Sequence, residues 1–322
     1  MTGTLKEVCM EMSTSNTKQA ISVRHLSKSY SGIIALNDLS FDVSEGELYG
    51  IIGPDGAGKT SLFRILTTLL TADKGTATVC GMDVLRDFRK IRKCIGYMPG
   101  KFSLYQDLTV EENLDFFATL FGTTRQENYA LIEDIYKQIE PFKYRKAGKL
   151  SGGMKQKLAL SCALIHKPSI LFLDEPTTGV DPVSRKEFWE MLLRLKAQNI
   201  TILVSTPYMD EATLCDHIAL IQNGSFMDID TPQGIITKFP TTLYAVHTDN
   251  MHPLLSDLHA YPLISTSFSF GDSFHVTFLP IGNKDLLHLY LQQKGYHEIE
   301  IQEIKPSVED CFMLLSNSKE NE

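Results

Sequence analysis

Two glycine-rich runs and one acidic strand end hold the residues of this chain that can do chemistry. Gly53-Pro54-Asp55-Gly56-Ala57-Gly58-Lys59-Thr60 fits G-x-x-x-x-G-K-[ST] and lies between the apolar run LYGII and a helix-forming stretch opened by Ser61. Glycines here let the backbone curl until successive N–H groups face one anion, and the following helix adds its positive dipole end. Lys59 would reach the terminal phosphates of a nucleoside triphosphate held this way, and the Thr60 hydroxyl would ligate Mg²⁺. Asp55 sets an acid beside polyphosphate, which is unfavourable unless its side chain points away. Asp174 and Glu175 end the apolar run ILFLDE, which delivers both carboxylates to the mouth of a sheet, where α/β ligand sites lie. Asp174 suits the Mg²⁺ shell, and Glu175 suits a general base for an attacking water. The third run, LSGGM at 150–154, opens the helical stretch MKQKLALSCALI and offers a second helix N-terminus to an anion.

The elements that position these residues alternate between strand and helix. ISVRHLSKSY, LNDLSFDV and GELYGIIG read as strands, and SLFRILTTLL at 61–70 as a helix with Leu62, Ile65, Leu66 and Leu69 on one face. A helical subdomain is expected over about 87–167. Within it Thr109 and Glu112 form a T-x-x-E capping box ahead of a helix to Leu120, and a second helix runs from Arg125 to Glu140 and stops before Pro141. ILFLD, a helix at 184–197, ITILVST and IALIQNG follow. After about Lys238 the pattern becomes strand 242–248, helix 251–259, strand 263–270, a Gly271-Asp272 turn, strand 273–279, helix 284–294 and strand 297–304, then a last helix near 307–316. That βαββαβ order is ferredoxin-like. The expected organisation is a tail at 1–20, an α/β ATP-binding domain at 21–238 and an accessory α+β domain at 239–322.

Composition narrows the classes. The 322 residues carry a net charge of −8, against the cationic surplus a nucleic-acid binder needs. Cys9, Cys80, Cys94, Cys162, Cys215 and Cys311 lie far apart without a C-x-x-C pair, which suits reduced thiols rather than a disulfide framework or zinc site. No apolar stretch approaches the ~18–20 residues that span a bilayer, and the N-terminus lacks a signal-type apolar core. The nine histidines are scattered without metal-ligand spacing. The basic run at 86–93 reads first as a solvated helix face and otherwise as a contact for lipid headgroups or an acidic partner, KYRKAGK at 143–149 could help hold an anion, and Phe116, Phe117 and Phe121 sit at core-like helical spacing.

With the phosphate loop, LSGGM and LFLDEP in this order, the chain resembles the nucleotide-binding subunit of an ABC transporter over about residues 21–235. The resemblance implies a P-loop NTPase fold of ABC type with antiparallel β and helical subdomains. It implies that two such domains stack head to tail, with each ATP held between one phosphate loop and the other's signature. Ser151, Gly152 and Gly153 match that signature; Met154 stands where Gln is commoner, as in export-type members. Tyr30 occupies the place of the adenine-stacking aromatic, and Asp181 in TTGVDP matches the residue that communicates between the two sites. FSLYQDLTVEEN at 102–113 resembles the segment that receives a coupling helix from the permease, although its aromatics fit a core equally well. The resemblance also implies a cytoplasmic location, peripheral on the inner face of the membrane, and no nucleic-acid partner.

Two positions depart from that pattern. Gly100 stands where the family has a Gln linking Mg²⁺ and water to the helical subdomain, and Pro207 stands where a His donates to the γ-phosphate. Losing one such contact typically costs on the order of 3–4 kcal/mol in the barrier. Both losses fall on this chain's own ATP, whereas the signature that serves a partner's ATP is intact. The expectation is the weak-site half of a heterodimeric export ATPase, working with a separate permease. Compensation by neighbouring residues would instead allow a homodimer. A regulatory ATP-binding subunit with little turnover and a non-transport ABC ATPase are the alternative classes.

Overall fold

The computed structural model describes residues 18–320. The expected tail lies outside the described residues up to Thr17, and the chain is already strand at Gln19. Strands β1 (Gln19–Tyr30) and β2 (Ile33–Ser44) form a hairpin closed by Ser31 and Gly32, both at positive φ (46° and 88°), the pairing that fits the natural twist of a two-residue loop. With β4 (Lys74–Val79) and β5 (Met82–Asp83) they make an antiparallel sheet in the order β2-β1-β4-β5.

Six further strands form the central sheet. β3 (Leu48–Ile52), β6 (Ile95–Met98), β7 (Ile170–Asp174), β8 (Thr201–Thr206) and β9 (His217–Gln222) run parallel, and β10 (Ser225–Asp230) pairs antiparallel at one edge, in the order β10-β9-β3-β8-β7-β6. Every residue of β3, β7 and β8 is buried, as parallel strands covered on both faces must be. Alternation splits their side chains between two cores. Leu48, Ile52, Leu171, Leu173, Ile202 and Val204 join one, and Tyr49, Ile51, Phe172 and Leu203 join the other, which is shared with the antiparallel sheet and α1 (Lys59–Leu66).

On the first face pack α3 (Val110–Leu120), α4 (Tyr129–Tyr136), α5 (Gly152–Leu164) and α6 (Pro182–Ala197). The expected helical subdomain at 87–167 needs correction. Its beginning, α2 (Phe88–Cys94), packs Ile91 into the other core, and β6 belongs to the central sheet. α1 stops at Leu66, because Thr68 takes φ 64°, and Leu69 is therefore exposed rather than on the core face. The helix expected over 125–140 is regular only from Tyr129 to Tyr136. The capping box forms as expected, with Thr109 Oγ1 accepting from Glu112 N–H and Glu112 Oε2 accepting from Thr109 N–H. Phe116, expected in the core, is exposed and stacks edge-on against Tyr105.

The remaining elements are α7 (Pro232–Thr237), β11 (Leu243–His247), α8 (Met251–Ala260), β12 (Ile264–Phe270), β13 (Ser273–Phe278), α9 (Lys284–Gln293), β14 (Glu300–Ile304) and α10 (Val308–Glu320). The four strands form an antiparallel sheet in the order β12-β13-β11-β14, the split βαβ arrangement. Leu254, Leu258, Leu287 and Leu291 cover one face. α10 does not join that core. Its Val308, Cys311 and Phe312 pack with Ala212 and Ile235 in the main core, and Asp310 ties it back to β13 through His275 Nδ1 at 2.6 Å.

Asn113 on α3 is fully buried and serves a loop rather than its own helix. Its Oδ1 accepts from Tyr105 N–H at 3.1 Å, and its Nδ2 donates to the carbonyls of Tyr105, Leu108 and Thr109. Asn113→Leu leaves the Tyr105 N–H without its acceptor, while the three carbonyls keep backbone bonds from Leu108, Ala147 and Asn113 N–H. It should cost about 1–3 kcal/mol, read as a lower urea midpoint at unchanged slope.

Candidate functional site

The phosphate loop is built by close approach. A Cβ on Gly53 would lie 2.1 Å from the Ile221 carbonyl oxygen, and one on Gly58, at φ 104°, would lie 2.3 Å from that of Ala35. Gly56 takes φ 80° with open space beside it, so it serves the backbone turn and leaves the mouth of the loop clear. The Gly53 N–H donates to the Thr206 carbonyl, Ala57 N–H to Pro54, and Gly224 N–H to Ala57. Asp55 is exposed on this turn.

Lys59 is buried at the head of α1, and its Nζ donates to the Gly53 and Pro54 carbonyls at 2.7 and 2.9 Å. It also lies 3.1 Å from Glu175 Oε1. The ammonium thus bridges two loop carbonyls and the Glu175 carboxylate. Glu175 sits just past β7 at φ 50°, a left-handed backbone that costs a side-chain-bearing residue about 1–2 kcal/mol. What holds it is Ser205 on β8. The Glu175 N–H points at both the Ser205 carbonyl (3.1 Å) and Ser205 Oγ (3.0 Å), and the Ser205 hydroxyl donates to Asp174 Oδ1 at 2.8 Å. One serine therefore orients the backbone of one acid and the carboxylate of the other. Ser205 escaped the sequence reading, whose only signal was a hydroxyl near the end of the apolar run TILVST.

Of the two positions set apart in the sequence, Gly100 lies against this pair and Pro207 follows the strand that anchors the loop. A Cβ on Gly100 would be 3.1 Å from the Asp174 carbonyl oxygen and 3.8 Å from Glu175 Cβ. Pro207 directly follows Thr206, whose carbonyl receives the Gly53 N–H and whose hydroxyl receives the Tyr208 N–H. Thr60 is half-buried in the first turn of α1. Next to it, the Ser61 hydroxyl meets the Tyr30 hydroxyl at 3.2 Å. The Tyr30 ring is 42% exposed, with Lys28 Nζ 5.6 Å from its centre, so an aromatic face stands open beside the loop.

The signature forms a second group. Ser151 caps α5, its Oγ accepting from Met154 N–H at 3.4 Å, and Ser151 and Gly152 are exposed. Gly153 touches α6, where a Cβ would be 2.8 Å from Ser184 Oγ, and Gly152 lies beside Gly179. Asp181 caps α6 by accepting from Ser184 N–H at 3.0 Å, and that bond holds its carboxyl below the usual range. The structure thus joins Ser151–Met154 to 179–184, and joins the phosphate loop to Gly100, Asp174, Glu175 and Thr206. Among the described residues no hydrogen bond or ion pair links the LSGGM run to the phosphate loop.

A cleft of about 680 Å³ opens between α2, β6, α3 and α5. Leu69, Leu104, Leu120, Phe121 and His166 line it, with Arg89, Arg92 and Lys93 also on its wall. Phe121 stacks on His166 at 3.8 Å. Burial holds the His166 imidazole below its ordinary value, opposed by its Nε2–H bond to the Ile95 carbonyl. Among the described residues, no helix is long and apolar enough to cross a membrane.

A glycine loop between a central parallel strand and a helix, with paired carboxylates at the end of a nearby strand, defines a P-loop NTPase fold, here with an added antiparallel sheet and a helical layer. Residues 36–178 match the family model described as "ABC transporter". The chain is 37% identical over 303 residues to the probable multidrug ABC transporter ATP-binding protein YbhF of Escherichia coli (strain K12), covering 92% of this chain and 52% of that one. It thus spans about half the length of that relative. It is 34% identical over 304 residues to the Nod factor export ATP-binding protein I of Rhizobium sp. (strain N33), covering 93% and 98% of the two chains. The solved structure of cbiO1 from Clostridium perfringens, part of the ABC transporter complex cbiONQ, superposes with a TM-score of 0.61 at 26% identity, over 68% of this chain and 91% of that one. The chain belongs to the family of ABC transporter ATP-binding proteins.

The glycines separate two kinds of constraint. Gly56→Ala meets only the backbone term and should cost about 1–2 kcal/mol. Gly53→Ala drives a Cβ into a carbonyl and should cost at least twice as much, read from chemical denaturation of both variants.

Proposed function

We propose that the chain is the ATP-binding and ATP-hydrolysing subunit of an ABC-type export system, the weak-site half of a heterodimeric ATPase pair driving a separate permease. The observation that carries this reading is the pair Gly100 and Pro207, set against an otherwise assembled Asp174–Glu175–Ser205 group. Tyr30 stacks on the adenine, and the loop from Gly53 to Ser61 holds the phosphates. ATP enters the mouth of the loop and draws Lys59 from Glu175 toward the β- and γ-phosphates. Glu175 then takes a proton from the water that attacks the γ-phosphorus as the bond to ADP breaks. The open loop mouth and the buried Asp174 carboxylate suit Mg²⁺ held by Thr60 and Asp174, which would neutralise charge on the transferring phosphate. Gly100 offers this water no side chain, and Pro207 offers the γ-phosphate no donor, so turnover here is slow.

Ser151, Gly152, Gly153 and Met154 serve the ATP of the second subunit, and Asp181 reports between the two sites while capping α6. Residues 21–238 act as the ATP-binding domain and 239–322 as an accessory domain, with α10 returned to the first. The cleft at α2, α3 and α5 receives an amphipathic helix of the permease, its apolar side on Leu120 and Phe121 and an acid toward Arg89 and Arg92. In this reading the chain works on the cytoplasmic face of the membrane. The export names of the relatives support the direction of transport.

Steady-state hydrolysis and bound nucleotide measured together test the weak site. The native chain alone should bind Mg-ATP and turn it over at least tenfold more slowly than Gly100→Gln/Pro207→His. Equal rates would mean that neighbours compensate, and a homodimeric motor would follow. Nucleotide affinity without turnover, even with the second subunit present, would make the chain a regulatory subunit. For the cleft, Leu120→Asp should abolish co-purification with the permease while ATP affinity stays unchanged.

A further inference from the structure

Beyond the groups that touch nucleotide in that reading, a buried carboxylate lies at the junction of three segments. Glu211, in the 3₁₀ turn Met209–Leu214, is 3% exposed and has every oxygen occupied. Its Oε2 accepts from the Thr206 hydroxyl and from the Thr177 hydroxyl at 3.1 Å. Its Oε1 accepts from Arg185 Nε at 3.1 Å. An ionised carboxylate only accepts, so both threonine hydroxyls are fixed as donors toward it. Thr206 in turn takes the Gly53 N–H on its carbonyl. Thr177 lies two residues past Glu175, and Arg185 lies one turn past Asp181, with its guanidinium 4.0 Å over the Tyr208 ring. A continuous chain of bonds therefore runs from the phosphate loop through Thr206 and Glu211 to Thr177 and α6.

We propose that Glu211 is a positioning residue that carries the occupancy of the phosphate loop to the 177–181 segment and α6. The physical reason is its burial. A carboxylate in this setting cannot release one partner to water, so displacement of Thr206 must move Thr177 and Arg185 with it or leave a charge unpaired. Pro207 has no N–H to offer, so the end of β8 is held by Thr206, whose carbonyl takes the Gly53 N–H and whose hydroxyl donates to Glu211. The proposal rests on ATP being the ligand of this loop.

The chain supplies its own reporter. Trp189 is its single tryptophan. It is buried one turn past Arg185 on α6, its indole N–H has no hydrogen-bond partner among the described residues, and it lines a pocket of about 300 Å³ together with Arg185 and Glu211. Movement of this cluster should change its emission. The experiment titrates the full chain with a non-hydrolysable Mg-ATP analogue, reading Trp189 fluorescence alongside binding of a fluorescent ATP analogue. The native protein should show saturable binding with a parallel change in Trp189 emission. Thr206→Val, which removes one hydroxyl at constant shape, and Glu211→Gln should bind within about threefold of native affinity yet lose most of the emission change. Thr177→Val/Thr206→Val should lose no more than Thr206→Val alone, because one break suffices. A native-sized emission change in Glu211→Gln or Thr206→Val overturns the proposal, as does native binding with silent Trp189. Failure of the native chain to bind either analogue overturns the ATP reading, and the proposal with it.

Discussion

The phosphate loop is wedged between the ends of two parallel strands, and the rest of the molecule is arranged around that contact. Gly53 approaches Ile221 of β9 so closely that no side chain fits, while its N–H is bonded to Thr206 at the end of β8. A backbone pinned on two sides has little freedom left, which suits an anion site that must exist before its ligand arrives. The same end of the sheet presents Asp174 and Glu175, so the cradle and the acids share one frame. Lys59 closes the frame by binding two loop carbonyls and one of those acids.

Much of this was legible in the sequence, because the informative residues are local. The glycine spacing, the T-x-x-E box and the apolar runs act over a few neighbours, and each element they imply is present. Boundaries failed where a backbone angle decided them. Thr68 at positive φ ends α1 early and turns Leu69 outward. The long-range residues escaped notice for the opposite reason. Ser205 and Glu211 reach partners 31 and 34 positions away, and Asn113 reaches back 8 to a loop, and nothing in their own surroundings marks them.

The departures at 100 and 207 acquire meaning only with geometry. A glycine and a proline in loops are ordinary events, but here one abuts the Asp174 carbonyl and the other extends the strand that anchors Gly53. In the proposed reading, the groups that shape the ground state are retained, while Gly100 and Pro207 offer no donor to developing charge. On that reading binding and turnover would be separable, since the groups that preorganise the loop are not those that lower a barrier.

The path of α10 also bears on where one structural unit ends and another begins. The chain leaves the α/β layers at Lys238, builds a four-stranded sheet with its own small core, and then returns to bury Val308, Cys311 and Phe312 beside Ala212 and Ile235. The accessory sheet is thus an insertion closed at both ends rather than a tail. Modularity in sequence and modularity in folding part company here: a chimaera made by exchanging everything after residue 238 would also exchange part of the hydrophobic floor beneath the turn that bears Glu211. Grafts that keep the junctions at both 239 and 307 respect the folding unit.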